Sequence, residues 1–128
     1  MPDRGETAGG RRVRVWTQGV VSMPKFLVQA SYTTKGSEGL VKEGGTGRRD
    51  AVEQVTKRLG GTVESTYFAF GDVDFYSILD FPDNVSMAAV ALAVKASGAI
   101  QTKATVLLTP EEIDTAAKKS VEFRPPGT

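Results

Sequence analysis

The stretch Gly44-Gly45-Thr46-Gly47-Arg48-Arg49 concentrates groups that could do chemistry. Free backbone N–H groups at a helix start attract anions, and two arginines add charge, so Gly44, Gly45, Thr46 and Gly47 form a candidate anion-binding loop. The spacing matches neither a P-loop nor a dinucleotide-binding fingerprint, and a plain hinge that needs glycine explains it more simply. Arg48 falls one turn before Val52, on the same stripe as Val52, Val55 and Leu59, whereas Arg49, Glu53 and Thr56 point elsewhere. A cation on an apolar stripe and in a first helical turn needs a carboxylate or ligand partner, unless its stem packs and its head reaches solvent.

A second set comes from three strands. Alternation places Gln29, Tyr76 and Lys103 on one sheet face together with Leu27 and Ile78. An acidic group with an apolar body would suit that mixture, so we take Gln29, Tyr76, Lys103 and, reaching around an end of the sheet, Arg48 as candidate ligand-binding residues. Tyr32 and Tyr67 read as ordinary strand residues. Asp72 and Asp74 are most simply turn residues, since two carboxylates alone make a weak metal site. With no cysteine and no histidine in 128 residues, thiolate nucleophiles, Cys or His metal centres and histidine general bases are excluded. We expect no metal and no cofactor, and assign no catalytic residue.

The elements that hold these residues follow from periodicity. Residues 25–32 alternate as a strand, with Phe26, Val28, Ala30 and Tyr32 on one side. A short helix is expected over 37–43, then the glycine break, then a helix to about 59 stopped by Gly60-Gly61. Residues 62–70 and 73–81 read as a β-hairpin around a Gly71-Asp72 turn. Asp83 or Asn84 caps an alanine-rich helix over 85–97, whose small side chains suit close approach to a sheet. Residues 99–108 are the fourth strand. Thr109-Pro110-Glu111-Glu112 carries a capping-box pattern and opens a last helix.

The order β-α-β-β-α-β is the ferredoxin-like arrangement: an α+β fold with a four-stranded antiparallel sheet and both main helices on one face. The helix-covered face takes Phe26, Val28, Phe75, Leu79, Ile100 and Val106. The open face takes Leu27, Gln29, Ser31, Tyr76, Ile78, Gln101, Lys103 and Leu107. The open face is too apolar for free solvent and too polar for a sealed core, which a partner sheet or a pocket resolves.

Residues 1–22 show no lasting period and carry a net charge of +2, against −1 for the remainder. We expect a disordered N-terminal extension, with Met23 the natural start, followed by one domain over 23–120 and a C-terminal tail over 121–128. An interrupted apolar run argues against an export signal, and the near-neutral domain argues against a nucleic-acid partner. No run approaches the ~20 apolar residues of a membrane span. A cytoplasmic protein without a membrane partner is expected.

From Met23 to about Lys119 the chain resembles the GYD-domain family of small dimeric α+β-barrel proteins. The resemblance rests on the run from Met23 to Tyr32, on Lys42-Glu43-Gly44-Gly45 with Arg48-Arg49, on Tyr67-Phe68-Ala69-Phe70-Gly71, and on Leu108-Thr109-Pro110-Glu111-Glu112. The Gly-Tyr-Asp for which the family is named is replaced here by Gly71-Asp72-Val73-Asp74. The resemblance implies a homodimer with facing sheets and implies no reaction. The expected function is binding of a small organic or anionic ligand at the mixed sheet face. The alternatives are a cofactor-free enzyme using acid/base chemistry on a small organic substrate, and a subunit-association module without a ligand.

Overall fold

The computed structural model describes residues 23–128, so the expected disordered extension lies outside the described residues. The elements run β1 (Lys25–Tyr32), α1 (Thr34–Arg58), β2 (Thr62–Phe68), β3 (Phe75–Asp80), α2 (Asn84–Ala96), β4 (Ile100–Leu107) and α3 (Pro110–Ala117). The sheet order is β2-β3-β1-β4, antiparallel throughout, which is the ferredoxin-like order. The register places Phe26 opposite Leu79 and Val106, Val28 opposite Ser77 and Ala104, and Ala30 opposite Phe75 and Thr102. These residues share the helix-covered face because side chains alternate along each strand. Phe26, Val28, Leu79, Phe81 and Met87 form the buried core, joined by Val52 and Leu59 of α1 and by Val90 and Ala91 of α2. Val106 points to the same side, yet it remains half-exposed on edge strand β4.

Local chemistry sets the helix ends. The Thr33 side chain accepts from Gly36 N–H at the start of α1, and the Asp83 carboxylate accepts from Ser86 N–H at 2.8 Å at the start of α2. That bond holds the Asp83 carboxyl below its ordinary range, because it stabilises the charged form. Thr109 and Glu112 complete the capping box at α3.

Three expectations about local structure change. The break in α1 is confined to Gly44, whose φ of 82° and ψ of 164° depart from the helix; Gly45, Thr46 and Gly47 are helical. The run 44–47 is therefore a one-residue kink rather than an open loop. The hairpin connection spans residues 69–74 rather than a two-residue Gly-Asp turn. Asp74 is drawn to β1 instead: its N–H donates to Ala30 O, and its carboxylate accepts from Tyr32 N–H, each at 2.9 Å. The Ser31 hydroxyl adds a bond to Asp72 O. Finally, Thr56 is fully buried rather than turned outward. It lies one turn after Val52 and donates its hydroxyl to Val52 O at 2.7 Å, so it enters the apolar interior with its polar group satisfied.

Candidate functional site

A partly open cavity of about 320 Å³ lies between α1, α2 and the helix-covered face of the sheet. Its origin is legible residue by residue. Ala30 and Ser77 line it from the sheet, and Ala51 from α1 and Ala91 from α2 line it from above. Small side chains thus contribute to the lining from both layers. The alanine-rich α2 packs close to β4, as its small side chains allow, and its Ala91 and Ala93 also line this space. Protein interiors pack nearly as densely as organic crystals. The space is open to solvent on part of its boundary, and a bound apolar molecule would take its apolar lining out of water, at about 25 cal/mol per Å².

The walls are apolar where Val28, Val55, Val90 and Leu79 contribute. Two of the polar groups there are already satisfied: Thr56 by Val52 O, and Ser77 by a 2.7 Å bond to Ser65 O. Arg48 and Tyr32 are different. Both line this cavity and a second one of about 270 Å³, which runs under the first part of α1 along Gly36, Leu40 and Glu43. They stand where the two spaces adjoin.

Arg48 is held there by its position one turn before Val52 on α1. The Glu43 Oε2 atom lies 3.2 Å from its Nε, and Glu43 belongs to the segment just before the Gly44 kink. Charge attraction is present, but the angle fails for a hydrogen bond: Nε is buried and has no acceptor among the described residues. A buried donor left unsatisfied costs on the order of 1–3 kcal/mol. Tyr32, at the end of β1, is half-buried. Burial pushes its phenol above the ordinary value of 10.0; the Arg48 guanidinium opposes this, while the Glu43 and Asp74 carboxylates add to it. The phenol is thus a neutral O–H donor at physiological pH.

The residues expected to form one site are divided between the two faces. Arg48 lines the helix-side cavity, whereas Gln29, Tyr76 and Lys103 lie on the opposite face of the sheet. Those three form one cross-strand row, with Gln29 opposite Tyr76 on one side and Lys103 on the other. Tyr76 and Lys103 are then two strand spacings apart, about 10 Å. Gln29 and Tyr76 are half-buried and Lys103 is exposed. None of the three lines either cavity described above. On the same face Lys25 contacts Glu64 and bonds Asp80 at 3.0 Å; those hydrogen bonds raise its ammonium above the ordinary 10.5.

Sequence reasoning passed over Tyr32 and Glu43. Tyr32 shares strand parity with Phe26, Val28 and Ala30, which is signal enough to place it on the helix side. Glu43 and Arg48 are five apart, a spacing that does not meet on a regular helix; the kink at Gly44 intervenes. Among the described residues no group of acidic side chains is arranged to hold a metal ion. No described helix is long and apolar enough to cross a membrane.

No curated protein and no solved structure matches the chain. The family model for the GYD domain matches residues 26–117, which takes in all four strands and both main helices. With most of its length inside that match, the chain belongs to the GYD-domain family.

Proposed function

We propose that this chain is a homodimer in which each protomer binds a small organic molecule in the cavity between the helices and the sheet. The observation that carries the binding site is the cavity itself: apolar walls with Arg48 and Tyr32 together at one end. A concave, mostly apolar space with a few convergent polar groups is the usual form of a small-molecule site, and about 320 Å³ falls at the small end of that range. The half-buried Leu27, Ile78 and Leu107 support the assignment of the open sheet face, with its row of Tyr76, Gln29 and Lys103, to association between protomers.

A second reading has its own support. Tyr32 is a phenol with a raised pKa beside a cavity, next to a cation, and such groups cluster at reactive sites. In that reading the chain is a cofactor-free enzyme, with Tyr32 donating a proton or hydrogen bond to a substrate oxygen and Arg48 stabilising the charge that develops there.

The binding reading is tested by filling the space. Ala91 lines the cavity from α2, and Ala91→Phe would place a ring in it. Isothermal titration with 1-octanol, an apolar probe, should show binding to the wild type and a loss of at least about tenfold in the variant, roughly 1.4 kcal/mol. The variant should melt within a few degrees of the wild type, because the ring enters existing space. Equal affinity in both proteins would contradict the assignment.

A further inference from the structure

Resting on the cavity as the binding site, we infer that its ligand is a small carboxylic acid with an apolar body, and that Glu43 occupies the position of the ligand's carboxylate on Arg48. The polar end of the cavity is a donor site: a guanidinium and a neutral phenol, both lining the cavity wall. A guanidinium offers donors in a planar fork that matches two carboxylate oxygens. Glu43 meets that fork poorly. Its Oε2 lies 3.2 Å from Nε but without hydrogen-bond alignment. A free carboxylate is not tied to the backbone of α1, so it can turn to satisfy the fork and accept the Tyr32 O–H as well.

The local backbone fits an exchange. Gly44 interrupts α1 directly between the two charged residues. At Gly47 a Cβ would sit 3.1 Å from Glu43 Cγ, so the glycine leaves room for the Glu43 stem beside Arg48. The second cavity lies alongside Glu43 and Arg48, under the first part of α1, and offers space into which a displaced Glu43 side chain can move. Neutral ligands gain nothing from this arrangement, because they would separate Glu43 from Arg48 without supplying a replacement charge. The apolar walls formed by Val28, Val55 and Val90 exclude a small, fully polar anion as the preferred ligand.

The test uses the full chain and three probes: octanoate, the uncharged isostere octanamide, and 1-octanol. By isothermal titration, octanoate should bind the wild type about tenfold tighter than octanamide, as expected for a charge-assisted pair. Glu43→Gln removes the competing charge and should tighten octanoate binding about fivefold, with octanamide changed less than about twofold. Arg48→Met keeps an apolar stem and should abolish the preference for octanoate while still binding octanamide. Arg48→Lys should fall between the two, because it keeps the charge and loses the fork. Equal octanoate and octanamide affinities in the wild type would overturn the carboxylate inference while leaving the cavity reading in place. The same holds if Glu43→Gln weakens octanoate binding, or if Arg48→Met keeps the preference. Failure of all three probes, 1-octanol included, would overturn both.

Discussion

Gly61→Ala should lower the melting temperature by roughly 10–20 °C, the equivalent of about 3 kcal/mol in a domain of this size. Gly61 is buried at the junction of α1 and β2. A Cβ there would lie 2.2 Å from Asp80 O, 2.8 Å from the Phe81 ring and 3.0 Å from Thr56 Cγ2. Neither the carbonyl of β3 nor a fully buried ring can move aside cheaply, since Phe81 also packs against Phe26 at 6.2 Å between centroids. An alanine normally stabilises by about 0.4–1 kcal/mol through the unfolded chain, and the clash outweighs that. Gly39→Ala supplies the contrast. It sits in α1 with nothing within 4 Å of its Cβ, so it should raise the melting temperature. A melting temperature for Gly61→Ala at or above that of wild type would show that the α1–β2 junction is not packed as described.

Ile78→Lys should convert the proposed homodimer to monomer. Ile78 lies in the middle of the open face, paired with Leu27 and Ser65. In a dimer built on this face it would be desolvated, and a buried unpaired ammonium is costly. At the centre of an interface such a change weakens association by roughly 30-fold or more. Sedimentation velocity at micromolar concentration should show a wild-type dimer and a monomeric variant. Val41→Lys on the exposed side of α1 should remain dimeric, since Val41 is 85 % exposed in the protomer. A monomeric wild type, or a dimeric Ile78→Lys, would remove the open face as the interface.

Strand parity was legible in the sequence for β1, β3 and β4, but not for β2, whose register shifts between Val63 and Ser65. Phe26, Val28, Phe75 and Leu79 were placed on the helix side and Leu27, Gln29, Tyr76 and Ile78 on the other, and the register agrees. Alternation has a period of two, so one correct anchor fixes a whole strand. Arg48 was legible as a cation on an apolar stripe. The cavity was not. Ala91, Ala51, Ala30 and Ser77 each look compatible with close packing when read alone; that they line one space follows only from how the helix and sheet layers sit together. The pairing of Glu43 with Arg48 was hidden because it depends on the Gly44 bend, and the sequence shows a break there without its direction. The length of the 69–74 connection was hidden because Asp74 reads as a turn former, while its bonds go to β1, some 40 residues earlier in the chain.

We propose that the ligand enters the helix-side cavity rather than the open face. Methyl-resolved NMR on ¹³C-labelled protein, titrated with octanoate and 1-octanol, separates the two directly. The methyls of Val28, Val55, Val90, Val94 and Ile100 line the cavity, whereas those of Leu27, Ile78 and Leu107 lie on the opposite face. Binding in the helix-side cavity predicts saturable shifts in the first group, with those of the second unchanged. Saturable shifts confined to Leu27, Ile78 and Leu107 would contradict it.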